Sequence, residues 1–128
     1  MQDLLIERQS NTPYVNFSFG RKTMLIEGHC IPENAQAFFT PLIKWLNALY
    51  TEQTIDRNEE FLIEIICEYY NSASAKMLIY FFNEVAAIQK SGYSLTVVWH
   101  CDAEDIDLAD SISDFSAVSS AYINISKS

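Results

Sequence analysis

Phe61-Leu62-Ile63-Glu64-Ile65-Ile66-Cys67-Glu68-Tyr69-Tyr70, followed at once by Asn71-Ser72-Ala73-Ser74-Ala75-Lys76, decides how this chain is built. The first ten residues are apolar at nearly every position and rich in β-branched and aromatic types. That pattern predicts a strand covered on both faces, at the centre of a sheet. Beyond the polar joint, Leu78, Phe81, Phe82, Val85 and Ile88 recur at helical spacing, with Lys90 in the last turn and Gly92 just past it. Those are the marks of an amphipathic helix and its C-terminus.

Working outward, Ser94-Leu95-Thr96-Val97-Val98-Trp99-His100-Cys101 reads as another strand. The acidic stretch Asp102-Ala103-Glu104-Asp105-Ile106-Asp107 leads into a third helix through Phe115. Upstream, Ala35, Phe38, Phe39, Leu42, Trp45, Leu46 and Leu49 form one helical stripe that Asn34 can cap. Pro41 lies inside it and removes a backbone donor, so a kink or a restart is expected near Thr40. Residues 51 to 60 are polar and aperiodic and read as a loop. Tyr14 to Gly20 and Thr23 to Gly28 alternate around Arg21-Lys22, which predicts a hairpin. Leu4-Leu5-Ile6 is a candidate edge strand, set apart by the turn-prone Ser10-Asn11-Thr12-Pro13.

Strand, helix, strand, helix, strand, with connections long enough to cross over, implies parallel pairing with right-handed crossovers. The expected fold is therefore α/β: a mixed central sheet with an N-terminal antiparallel hairpin and βαβαβ crossover helices, in one domain spanning residues 1 to 128. With 49% apolar residues the chain can build a core of that size.

Eight basic against seventeen acidic side chains leave a net charge of −9, which repels nucleic-acid phosphates and anionic membrane surfaces. Proteins or cations are the partners such a surface admits. Met-Gln-Asp-Leu-Leu-Ile-Glu-Arg-Gln at the start has no basic n-region or apolar h-region, and eighteen apolar residues never run together, so a cytoplasmic protein is expected. Cys30, Cys67 and Cys101 are odd in number, about 35 residues apart and set in apolar, strand-like segments. They read as reduced core thiols.

The joint at 71 to 76 admits two readings. Helix starts have unpaired N–H groups, and Asn and Ser oxygens accept from them, so capping alone accounts for the residue types. Alternatively, the carboxyl end of a strand in an open α/β sheet is where such folds place functional groups, and a helix N-terminus carries partial positive charge. A hydroxyl there is well placed to become a phosphate, accepted by free N–H groups and by Lys76. It would add about two negative charges to a docking surface.

Four segments in register carry a family resemblance: Pro32-Glu33-Asn34; Phe38-Phe39-Thr40-Pro41-Leu42 with Trp45-Leu46; Glu68 to Lys76; and Leu95-Thr96-Val97-Val98-Trp99 with the acids after it and Asp114-Phe115. Together they resemble the SiaC family of bacterial regulatory phosphoproteins, which have a STAS-like fold, and the resemblance covers about residues 14 to 120. Glu68 to Lys76 is similar to that family's Tyr-Phe-Asn-Thr-Ser-Ser-x-Lys joint. The resemblance implies a protein without catalysis or cofactor of its own, toggled by a dedicated protein kinase and a metal-dependent Ser/Thr phosphatase. It further implies that the unphosphorylated form binds and activates a diguanylate cyclase, with cyclic di-GMP and biofilm formation as the output. The family's phosphorylated threonine matches Ser72. In the related anti-anti-sigma STAS proteins, with the pattern Asp-Ser-Ser/Thr-Gly, the second hydroxyl is modified. Ala73 fills that position here, which makes Ser74 the second-ranked acceptor. An anti-sigma factor is accordingly the alternative partner.

Tyr69 and Tyr70, at the strand end, are amphipathic aromatics of the kind found at interface centres, and one of them is expected to face a partner alongside Asn71 and Lys76. Two His-Cys pairs, His29-Cys30 and His100-Cys101, raise the possibility of a metal. Adjacent strand side chains point to opposite faces, so one site could use only half of the four, and no metal is expected. Neither cysteine sits at a helix start where its pKa would fall, which argues against a Cys-His nucleophile. The acidic stretch lacks the spacing of a Ca²⁺ loop, and three glycines in all make a phosphate loop improbable. A small metal-assisted hydrolase using the acidic stretch with His100 is the one enzymatic alternative.

Overall fold

Three short strands open the chain in the computed structural model, which describes residues 1–128: β1 (Leu4–Ile6), β2 (Tyr14–Ser18) and β3 (Thr23–Glu27). They pair antiparallel, with Phe17 opposite Leu4 on one side and Met24 on the other. Helices and strands then alternate as α1 (Ala35–Glu52), β4 (Glu60–Ile66), α2 (Ser72–Lys90), β5 (Ser94–Cys101), α3 (Ile106–Ser119) and β6 (Ile123–Lys127). From β3 to β6 every pairing is parallel, so the sheet is mixed, as the hairpin and crossovers predict. The sixth strand is an addition to the sequence reading, in which the chain ends on its third helix. Its short Ile-Asn-Ile-Ser alternation is the signal that could have revealed it.

The strands lie in the order β1-β2-β3-β4-β5-β6. Each crossover steps one strand in the same direction, and crossovers share one hand, so all three helices pack on one face of the sheet. This corrects the expectation that Phe61–Tyr70 is covered on both faces. Phe61, Ile63 and Ile65 are buried under the helices, whereas Leu62 and Glu64 are half-buried and Ile66 is exposed. The apolar run overstated the burial because Leu62 and Ile66 lie among other side chains of an open sheet surface.

The same strand ends four residues earlier than expected, at Ile66 rather than Tyr70. Its neighbour causes this. Gly28, at φ +134°, turns the chain out of β3, and the ladder resumes only as an isolated parallel bridge between Cys30 and Tyr70. Two further boundaries differ. Helix α1 runs on to Glu52, so the loop begins at residue 53, and it passes through Pro41 without restarting. Proline there forfeits only the bond to the carbonyl of Ala37, an exposed residue whose oxygen water can serve.

One core unites the layers. Phe17, Phe39, Leu42, Leu46, Phe81, Phe82 and Trp99 are among its largest fully buried side chains. At the carboxyl end of the parallel strands, Trp99 stacks on Phe115 at 5.8 Å between ring centroids. Its indole N–H donates to the carbonyl of Cys67 at 3.1 Å, tying β5 to the segment leaving β4. All three cysteines are buried and free, though only Cys101 lies within a strand.

Candidate functional site

The connector between β4 and α2 is held by backbone bonds to the segment leaving β3. The Gly28 amide donates to the Ile66 carbonyl at 2.9 Å, the Cys30 amide to the Tyr69 carbonyl at 2.9 Å, and the Asn71 amide to the Cys30 carbonyl at 3.1 Å. Gly28 is buried, and a Cβ on it would meet Pro13 Cα at 3.1 Å. Glycine is required there on both counts.

Asn71 ends this connector as the N-cap of α2. Its Oδ1 accepts from the Ser74 amide at 2.9 Å, while its Nδ2 donates to the Pro32 carbonyl at 3.2 Å. One side chain thus closes the helix and fastens it to the entry of α1. The amides of Ser72 and Ala73, orphan donors of the first turn, have no protein partner.

The two candidate hydroxyls are placed very differently. Ser72 is the first residue of α2 and is exposed. Ser74 is 0% exposed, with its Oγ under Cys30, whose thiol donates to it at 3.7 Å. Lys76 lies one turn after Ser72, exposed, and takes part in neither of the molecule's two ion pairs. The two tyrosines also part company. Tyr69 is 62% exposed and meets His29 edge-on at 5.2 Å. Tyr70 turns inward against Phe115 at 5.5 Å and Trp99 at 6.3 Å.

Grooves flank the joint on both sides. Between the starts of α1 and α2 lies one of about 500 Å³, lined by Glu33, Gln36, Thr40, Lys76 and Tyr80 among others. On the α3 side, Glu68, Tyr69, Tyr70, Asp105 and Asp107 line a second of about 380 Å³. Sequence alone does not show the contributions of α1 and α3, since only the strand order brings those helices beside α2.

Burial pushes the Cys30 thiol up to about 11, against a weaker downward pull from the Ser74 hydroxyl. Burial, with the Cys30 thiol nearby, pushes Cys67 up to about 12, and burial also raises Cys101. All three are the opposite of an activated nucleophile. His100 lies on the open sheet face, 3.0 Å from Glu64. Asp105 caps α3 through the Leu108 amide, and Asp102 accepts from the Glu104 amide. No three of the chain's His, Cys, Asp and Glu side chains are gathered to hold a metal ion, and no helix is long and apolar enough to cross a membrane.

Comparison with solved structures finds the same fold in SiaC of Pseudomonas aeruginosa, at a TM-score of 0.86 and 20% identity, covering 100% of both chains. The crystal structure of apo-SiaC from the same organism matches at 0.85 and 20% identity, over 98% of this chain and 99% of that one. A third match, at 0.85 and 19% identity, covers 98% of this chain and 100% of that one. It is the crystal structure of the diguanylate cyclase SiaD in complex with its activator SiaC, also from Pseudomonas aeruginosa. No curated protein sequence matches. The model of the SiaC family regulatory phosphoproteins matches residues 6–128, and the chain belongs to that family.

Proposed function

We propose that the chain is a non-catalytic signalling phosphoprotein whose state at Ser72 controls whether it binds and activates a diguanylate cyclase. One observation carries the choice of residue: of the two serines opening α2, Ser72 is exposed beside two unpartnered amides and Ser74 has no solvent access. A partner kinase transfers the γ-phosphoryl group of ATP to Ser72 Oγ, which gives up its proton, and ADP leaves. A metal-dependent Ser/Thr phosphatase adds water across the new P–O bond, restoring the hydroxyl and releasing inorganic phosphate.

The phosphate adds about two negative charges, which the free amides, the positive end of the helix and Lys76 receive. Set between two grooves, it must be desolvated by any partner that covers the joint, so the unmodified form is the one that docks. Tyr69 supplies an exposed aromatic anchor at the same edge, whereas Tyr70 supports the joint from beneath. The cyclase is the supported partner because the fold is shared with a protein crystallised as the activator of one.

The test compares wild type, Ser72→Ala and Ser72→Asp for affinity to the cyclase of the same cell and for cyclic di-GMP synthesis. Ser72→Ala is expected to bind and activate as wild type does while resisting the kinase. Ser72→Asp is expected to bind about 10-fold or more weakly, a coupling of the usual size. Equal binding by the two variants removes the switch.

A further inference from the structure

The sheet has two edges, and they are built differently. β1 is three residues long and flanked by Asp3 and Glu7, and the Gln2 carbonyl before it accepts the indole N–H of Trp45 at 2.9 Å. Short strands and nearby charges are how folded chains blunt an edge. β6 is five residues long, and from Tyr122 to Ser128 there is no acidic residue, in a chain that has seventeen. Ile123 and Ile125 alternate there with Asn124 and Ser126, with no proline or glycine to interrupt pairing.

The free groups of this edge follow from its register. The Ser128 amide donates to the Cys101 carbonyl at 3.1 Å, and the Ser128 carbonyl accepts from the Ala103 amide at 2.9 Å, so Ser128 faces the β5 side. In a parallel ladder every second residue does the same. The amides and carbonyls of Ile123, Ile125 and Lys127 are therefore left pointing outward.

We propose that this edge pairs antiparallel with the same edge of a second copy of the chain, about a twofold axis at Ile125. With Ile125 opposite its own copy, Ile123 meets Lys127, and every outward group finds a partner in about six bonds between chains. A strand edge alone is too small for a stable dimer, and the side of α3 above it supplies the rest. Ser111, Asp114 and Val118 line the cleft toward α2, so Ile106, Ala109, Ser113 and Ser116 turn the other way, toward the β6 edge. None of these four is charged, three are small, and Ile106 is 70% exposed. Packed over β5 and β6, with strands about 4.8 Å apart, α3 comes about 10 Å from its copy across the new pair, a distance at which helices pack. Lys127, in neither ion pair, reaches the end of the copy's α3, whose last turn has no basic residue. The joint at Ser72 stays uncovered in both copies, so the pairing does not rest on the phosphorylation reading.

Sedimentation equilibrium of the full-length chain over about 1 μM to 1 mM tests this, at physiological salt where repulsion between two charges of −9 is largely screened. A reversible monomer–dimer equilibrium is expected. In the dimer, the Ile123, Ile125 and Lys127 amides should exchange with solvent about 10-fold or more slowly than in the monomer. Ile125→Pro removes an outward donor and no bond to β5, so it should weaken association by about 10-fold or more while circular dichroism stays that of wild type. Should that variant misfold, Ser113→Lys, at an exposed position of α3, decides in its place and should weaken association likewise. Ile66→Lys, on the open face of the sheet, should dimerise as wild type does. A chain that stays monomeric throughout overturns the proposal. So does a dimer in which those three amides exchange as in the monomer, or one that Ile66→Lys breaks and Ile125→Pro does not.

Discussion

Asn71→Ala tests the joint at its most informative residue. The substitution removes two bonds at once, the acceptor for the Ser74 amide at 2.9 Å and the donor to the Pro32 carbonyl at 3.2 Å. Loss of an N-cap costs about 1 kcal/mol. Pro32 is buried, so its carbonyl is left without a partner, which adds about 1–2 kcal/mol. The sum is about 2–3 kcal/mol, or about 10 °C in Tm for a chain of this size. Asn71→Ser keeps the cap but cannot reach Pro32, so it should recover about 1 kcal/mol of that loss. Thermal unfolding followed by circular dichroism reads both. Amide hydrogen exchange should show faster exchange at Ser74 and Ala75 in Asn71→Ala, with Phe81 and Phe82 unchanged. A Tm within about 2 °C of wild type, or an Asn71→Ser variant no more stable than Asn71→Ala, would refute the account of the cap.

Ser74→Ala should unfold within about 1 kcal/mol of wild type, because its only side-chain bond comes from a thiol, whereas Ser74→Asp places a charge in a sealed site and should lose several kcal/mol. Intact mass after incubation with the kinase should show one added phosphoryl group on wild type and Ser74→Ala, and none on Ser72→Ala. The thiols make a pH prediction. Cys30 and Cys67 sit at about 11 and about 12 in the folded chain against 9.0 when free. The folded state therefore holds protons that the unfolded state releases, and stability is full below pH 9 and falls as pH rises toward 11 to 12. The slope is about 1.4 kcal/mol per pH unit for each thiol, and denaturant melts of a Cys30→Ala/Cys67→Ala variant should lack it. Gly28→Ala, at φ +134° against Pro13, should lose about 1–3 kcal/mol in the same melts and speed exchange of the Cys30 and Asn71 amides.

What could be read without coordinates was whatever a single segment determines by itself. The stripes of α1 and α2, the β2–β3 hairpin and the parallel crossovers follow from periodicity and connection length alone. What could not be read depends on neighbours. Nothing in Ile66-Cys67-Glu68-Tyr69-Tyr70 says that the strand stops at Ile66, because the cause is Gly28, just past the end of the neighbouring strand. The open face of the sheet likewise follows from strand order, which the apolar run of β4 does not encode. At the site, Asn71 reads as a cap from its type, but its second bond to Pro32 requires α1 to start beside α2. The grooves on either side of the joint need the same adjacency.

The different exposure of Ser72 and Ser74, which the family resemblance ranks only as first and second acceptor, follows from helix geometry once the cap is known. Successive helical residues turn by about 100°, so positions two apart lie about 200° apart and cannot share a face. With Asn71 as N-cap, Ser72 and Ser74 are the first and third helical residues. The helix must bury Leu78, Phe81, Phe82 and Val85. Ser74, one turn before Leu78, falls on that face, which turns Ser72 outward. The register of the core thus leaves Ser72 as the accessible hydroxyl of the two. On the proposed reading, a kinase that meets the folded chain needs no discrimination of its own between the two serines, since the Ser74 hydroxyl has no solvent access and accepts from the Cys30 thiol.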